Sequence, residues 1–525
     1  MKFKIGYSEK AERIVKSLSV KELINQIICP LYKDVPAVEN CGGAYFAADT
    51  RENLRKKVDT FVESCSIPPF VVSDFECGAS MILDSDHFPS MMGLSQCNSE
   101  ELAYEAGRIA AEEGAELGFN WTLAPVADLA FNPDSPVVGL RSAGKYPEQA
   151  IKAIKAYMKG VQDFGMLATA KHFPGDGFST YDQHLTTPEN PLDMESWHKL
   201  SGYVFREMIN EGVAAVMTGH ISLPAYDEKD RKLGLFPPST LSRRLIQDLL
   251  KTELGFEGLV ISDAMIMGGC VGFMNCYEAC ARFLESGGDM LLFVTPDENF
   301  YRQMEQLIEN GKLKLETLRD RAYRILAVKD KMGLLDGTCK AGRSIADTKR
   351  NSSIVKEVAE RSITIVRDRE NLLPFNVKRE TRVLYLVIVN GYEVMKGVYD
   401  GFCEEIRKYS DHVDMLVDPG PFEIEKRIKS GDYDLVICSI GNYLDWAVNV
   451  VRLHGPVARN MACGWMKMGV PVIFISHFHP YVHKEYEAAI DTIINTYGHT
   501  TYTNEYLMKG ICGLVPLQRK LHVHD

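Results

Sequence analysis

No two cysteines in this chain are spaced Cys-x-x-Cys, and no apolar run approaches the length of a membrane span. The first absence removes the commonest zinc and redox motifs, and 13 cysteines, an odd number, cannot all pair. Free, buried thiols in a reducing compartment are expected. The closest two, Cys276 and Cys280, have the spacing of neighbours on one helix face. A spanning helix needs roughly 18 apolar residues in a row. The opening residues, MKFKIGYSEKAERIVKSL, also lack the apolar stretch of a secretory leader. A cytoplasmic protein without a membrane partner is therefore expected. Positive charge is short as well: 59 Lys and Arg face 71 Asp and Glu, a formal net charge of −12. That argues against a nucleic-acid partner, which requires a basic surface.

What is present is an ordinary globular composition, 46% hydrophobic and 25% charged, in a chain of 525 residues that is too long for one ordinary core. Short apolar runs predict strands over 24–29, 43–46, 69–73, 119–123, 166–170, 214–217, 258–261 and 289–294. Amphipathic helices are predicted over 100–117, 147–164, 194–211 and 241–254, and a closing helix over 315–332. Apolar strands alternating with helices mean a parallel sheet covered on both faces. Eight such units predict a (β/α)₈ TIM-type barrel, irregular near its start. The expected class is α/β, with a catalytic barrel over 1–335 and a polar linker over 336–350. A smaller doubly wound α/β sandwich domain follows over 351–525, with strands at 363–366, 383–389, 415–417, 435–440 and 470–475. It carries neither a G-x-G-x-x-G turn nor a Walker A loop, so no nucleotide site is expected.

Polar side chains gather at the predicted strand ends: Asp74, Lys171 with His172, His220 and Asp263. In a barrel these ends converge on one face, where active sites lie. The stretch AKHFPGDGFSTYDQHLTTP (170–188) adds Asp182 and His184. A carboxylate two residues before an imidazole can fix its tautomer and leave the other nitrogen free for proton transfer. The spacing alone is weak, since surface loops often contain it. In GLVISDAMIMGG (258–269) a strand delivers Asp263 rigidly, as a nucleophile requires, although an Asp there can equally cap the next helix. In PPFVVSDFECG (68–78), Asp74 and Glu76 either bind hydroxyls or are a pair held by an Arg elsewhere. Arg141, in NPDSPVVGLRSAG (132–144), offers a fork of donors, or is simply solvated. His477, His479 and His483 in SHFHPYVH mimic a metal site, but a structural role is favoured, and His522 and His524 read as a mobile tail.

K-H-F-P-G, a following Gly, then D-x-H and a Pro resemble the signature of family 3 glycoside hydrolases, in their β-N-acetylhexosaminidase branch. LAPVADLAFNPDSPVVGLRSAG, GVAAVMTGHISLPAYD and PSTLSRRLIQDLLKTELGFEGLVISDAM follow in the family's order, and RSITIVRDRENLLPF resembles the start of its second domain. The resemblance implies Asp263 as nucleophile and His184 as acid/base, paired with Asp182. It implies Asp74, Arg141, Lys171, His172 and, less directly, His220 around the sugar. It implies a carbohydrate substrate with a β-linked amino sugar, cell-wall fragments included, and neither cofactor nor metal. The chain departs from the pattern at three places. The family's D-x-E-G-G-R ends in Ala79, its G-D-R-S carries Leu140 and its P-G-H-G carries Asp176.

The expected reaction is retaining hydrolysis through a covalent glycosyl-Asp263 intermediate, with an imidazole in place of the second carboxylic acid. A phosphorylase or a β-glucosidase on the same scaffold is an alternative, because a neutral His does not repel phosphate. Two readings come from other classes. One is a metal-dependent amidohydrolase using His172, His220 and Asp263, against which stands the missing H-x-H after the first strand. The other is a non-catalytic sugar sensor.

Overall fold

The computed structural model describes residues 2–32, 40–339, 341, 346–443 and 446–519. Eight parallel strands occupy the first part: β1 Ile28–Cys29, β2 Gly43–Tyr45, β3 Phe70–Ser73, β4 Trp121–Thr122, β5 Thr169–Phe173, β6 Ala215–Thr218, β7 Leu259–Ala264 and β8 Met290–Leu292. They form two ladders, one in the order β1-β8-β7-β6-β5 and one in the order β2-β3-β4. Single parallel bridges join the ladders, Leu31 to Tyr45 on one side, and Trp121 to Leu167 with Val126 to Lys171 on the other. The eight strands thus follow one another around a TIM-type ring whose two seams rest on isolated bridges. All eight are buried along their length, as a sheet with helices outside and a packed centre requires.

Several boundaries differ from the sequence reading. The strand expected over 24–29 begins only at Ile28, because Val20–Gln26 is helical. Ser19 and Glu22 form a reciprocal capping box there, which fixes a helix start that the apolar run conceals. The helix expected over 194–211 is broken at Leu200 into Met194–Lys199 and Ser201–Glu211. The segment expected as a helix over 241–254 winds as a wide π-helix, Arg244–Glu253.

The later strands are β9 Thr364–Asp368, β10 Arg382–Asn390, β11 His412–Val417, β12 Leu435–Asn442, β13 Val472–Ser476, β14 Thr492–Asn495 and β15 Gln518–Arg519. They make one sheet in the order β11-β10-β12-β13-β14-β9-β15, parallel except where β9 runs against β14. Alternate residues of β10 face two cores. Val383, Tyr385 and Val387 pack with Phe402 and Leu507 of the helices Lys396–Arg407 and Thr503–Ile511; Leu384, Leu386 and Ile388 pack with Ile424 and Ile428 of the helix Pro421–Lys429. Strands β14 and β15 were not expected from the sequence. Part of the expected linker, and His522 and His524, lie outside the described residues. At its end nearest the second sheet, the linker already enters the helix Thr348–Ser362.

Candidate active site

The C-terminal ends of the barrel strands bring the expected polar residues together. Asp74 follows β3, Lys171 and His172 lie within β5, and Asp263 lies within β7. Lys171, 3% exposed, holds two carboxylates: its Nζ lies 2.6 Å from Asp74 Oδ1 and 2.8 Å from Glu76 Oε1. Arg141 donates to both oxygens of Glu76, from Nε at 2.9 Å and from Nη2 at 2.7 Å. Tyr45 donates its hydroxyl to Asp74 Oδ2 at 2.8 Å. Glu76 is therefore the residue that binds the cationic pair together, the second of the two roles left open for it. Burial pushes its carboxyl up, but Arg141 and Lys171 outweigh that and hold it well below the usual range. Burial pulls the Lys171 ammonium down, and Asp74 and Glu76 more than restore it.

His172 donates from Nδ1 to Asp128 Oδ2 at 2.7 Å, which leaves Nε2 facing Asp263 Oδ2 at 3.9 Å. The other oxygen of Asp263 accepts the Ala264 N–H at 2.7 Å. Burial raises the Asp263 pKa, but the imidazoles of His172 and His220, then the Ala264 N–H and His184, bring it below the usual carboxylate value. Asp263 is thus an anion at neutral pH, with an oxygen beyond hydrogen-bonding reach of its nearest imidazole. His220 departs from expectation. It is fully buried, with Nε2–H donating to Ala264 O at 2.9 Å and Nδ1 at 2.9 Å from the Thr240 hydroxyl. Both nitrogens are engaged inside the protein, so it supports the Asp263 turn and has none free for a sugar.

His184 donates from Nδ1 to Asp182 Oδ1 at 2.6 Å, and Oδ1 also accepts the His184 N–H at 2.8 Å. The Asp182 side chain is fully buried, whereas His184 is 23% exposed. The remaining Oδ2 of Asp182 accepts the backbone N–H of Ala447 at 2.8 Å, from the loop after β12 of the second sheet. Burial raises the Asp182 pKa; the bonds from His184 and Ala447 lower it further than burial lifts it. Trp446 places its ring 5.7 Å from that of His184. A cavity of about 640 Å³ opens here, lined by Asp74, Arg141 and His184 from the barrel side and by Tyr443, Trp446 and Phe478 from the second sheet's loops.

Four contributors were not anticipated: Asp128, Tyr45, Trp446 and Ala447. Asp128 sits inside the quoted stretch LAPVAD but carries no local signal of its role. The other three depend on tertiary approach. His477 is buried between Tyr399 and Phe402, with Nε2 3.2 Å from Ser439 Oγ, and burial pushes its pKa down to about 3. Among the described residues no three His, Cys, Asp or Glu side chains converge as a metal site.

One face of the barrel thus gathers a buried anionic carboxylate, an imidazole–carboxylate pair and a carboxylate–cation cluster. Residues 15–328 match the family described as "Glycosyl hydrolase family 3 N terminal domain". The chain belongs to glycoside hydrolase family 3. A "beta-N-acetylglucosaminidase/beta-glucosidase" of Cellulomonas fimi is 29% identical over 502 residues, 90% of this chain and 87% of that one. Among solved structures, "Beta-glucoside phosphorylase BglX" is similar with a TM-score of 0.88 at 26% identity, covering 98% of this chain and 97% of its own. A family 3 β-N-acetylglucosaminidase from Paenibacillus sp. str. FPU-7 is similar with a TM-score of 0.77 at 25% identity, covering 97% of this chain and 100% of its own. No helix among the described residues is long and apolar enough to cross a membrane.

Proposed function

We propose that the protein is a retaining β-N-acetylglucosaminidase. The observation that carries this reading is the Asp182–His184 pair on a loop facing the same cavity as Asp74 and Arg141, with the anionic Asp263 nearby. Asp263 attacks the anomeric carbon, and the carbon–oxygen bond to the leaving group breaks. Protonated His184 gives its Nε2 proton to that oxygen. A glycosyl ester of Asp263 results. Neutral His184 then takes a proton from water, whose oxygen displaces Asp263 and restores the β configuration. Asp74, Arg141 and Lys171 hold sugar hydroxyls, and His172, fixed by Asp128, faces both the sugar and Asp263. The reading divides the chain into a catalytic unit over 1–335, a linker over 336–350 and a second unit over 351–525. The free cysteines, buried for the most part, are consistent with work in the cytoplasm.

A panel of chromogenic β-glycosides tests this reading. The N-acetylglucosaminide is cleaved with the higher kcat/KM; equal or better cleavage of the glucoside overturns the sugar assignment. Asp263→Ala abolishes turnover in a folded protein, and a folded variant keeping a tenth of the rate removes Asp263 from its role. A second reading, phosphorolysis, is favoured by the whole-chain likeness to a β-glucoside phosphorylase. Running the assay with and without inorganic phosphate separates the two: sugar 1-phosphate as main product decides for the phosphorylase.

A further inference from the structure

The acid/base pair sits on a barrel loop, yet one of its hydrogen bonds comes from the other sheet. Asp182 is fully buried and has two oxygens to satisfy. Oδ1 serves His184 twice, and Oδ2 accepts Ala447 N–H at 2.8 Å. A buried carboxylate oxygen without a partner is costly, and a carboxylate held at one oxygen only can rotate. Ala447 has a φ of 58°, so this N–H is presented from a left-handed turn. Around that turn the two units are tied together. Arg452 Nη2 lies 2.8 Å from Asp134 Oδ2, and Tyr481 packs with Met92, Ala130 and Val138.

We infer that Ala447 is a positioning residue: its N–H completes the Asp182–His184 unit, so the second sheet sets the orientation and proton affinity of the acid/base from outside the barrel. The inference rests on the proposed role of His184. The N–H dipole lies beside Asp182, whose other oxygen bonds His184. The other titratable groups interacting with His184 are Asp263, an anion, and His220, whose imidazole burial holds below its usual pKa. With the donor gone, Asp182 binds protons more strongly and the imidazolium it faces becomes harder to deprotonate. The ring is also less well held.

Ala447→Pro removes the donor, and Ala447→Gly keeps it in a residue that favours positive φ. The alkaline limb of the kcat/KM profile reports the proton carried by the general acid. Ala447→Pro moves that limb to higher pH. At the optimum it lowers glycosylation of an alkyl N-acetylglucosaminide by about tenfold or more, the rate equivalent of one hydrogen bond to a charged group. A dinitrophenyl glycoside, whose leaving group needs little proton help, loses far less. Ala447→Gly retains the wild-type limb and leaving-group dependence. In the His184→Ala background, Ala447→Pro adds nothing further on either substrate. An equal loss on both substrates, an unmoved alkaline limb, or a full additional loss in that background overturns the inference. Because proline can displace the loop, Trp446→Ala is measured beside it: it leaves the Ala447 N–H in place, and a limb shift as large as that of Ala447→Pro also counts against the inference. Failure of the proposed role of His184 is seen separately, as an insensitivity to leaving group in His184→Ala itself.

Discussion

At the scale of single residues, the least expected group is Asp176, which stands where the family pattern has histidine. It is 2% exposed, its Oδ2 is buried without a hydrogen-bond partner among the described residues, and its N–H donates to Asp128 Oδ1 at 2.7 Å. Burial and the neighbouring Asp128 carboxylate raise its pKa to about 7. An unfolded Asp ionises near about 3.9. The folded protein therefore holds a proton that the unfolded chain has already released. The stability linked to that proton is complete below pH ~4 and is lost as pH rises to about 7. Asp176→Asn cannot ionise, so its Tm relative to wild type rises across this window and is level above it. A difference constant over the whole range, in thermal melts at stepped pH, would assign the ionisation elsewhere. Of the site, Asp263, Asp74, Lys171 and His172 are legible in the sequence because a barrel sends its strand ends to one face. Asp128, Tyr45 and Ala447 are not. Each acts through a partner 44, 29 or 265 positions away, and no local pattern encodes such a meeting.

At the scale of elements, the helices Glu100–Glu116 and Pro147–Asp163 pack tightly in the barrel's outer layer. They cross at a glycine on each side. A Cβ on Gly107 would stand 2.0 Å from Tyr157 O, and one on Gly160 would stand 2.1 Å from Tyr104 O. Backbone atoms cannot step aside as the end of a side chain can. Gly107→Ala is expected to destabilise by about 1–3 kcal/mol, read as a lower urea midpoint at unchanged slope. No change in midpoint would mean that the helices slide apart freely. Both helices are legible because their apolar period and flanking signals agree: Ser99 caps one and Pro147 opens the other. Where signals conflict, sequence reading fails. Ile24 looks like strand but belongs to a capped helix, and the apolar period over 194–211 does not reveal the break at Leu200. The last strand of the second sheet, Gln518–Arg519, is two exposed polar residues held only by register against β9, so hydrophobic pattern gives no sign of it.

At the scale of the molecule, the catalytic face is roofed by loops of the second sheet, and the seam between them combines an apolar cluster with polar contacts. Tyr481, Tyr497, Met92, Ala130 and Val138 form one buried cluster, while the Arg452–Asp134 pair is 63% and 41% exposed. An exposed ion pair contributes about 0–1 kcal/mol, and truncating a buried aromatic costs about 3 kcal/mol. Tyr481→Ala is therefore expected to lower kcat/KM for alkyl glycosides well beyond Arg452→Ala; the reverse order would make the seam electrostatic. The ring of eight strands invites one more thought. Its two arcs, β2 to β4 and β5 round to β1, are stitched by isolated bridges. Asp74 and Glu76 follow β3, the middle strand of the short arc, and Lys171 and Asp263 belong to the long one. The Lys171 ammonium, gripping both acids, is thus a side-chain clasp between the two arcs. The groups proposed to hold the substrate are also ones that tie the two arcs together.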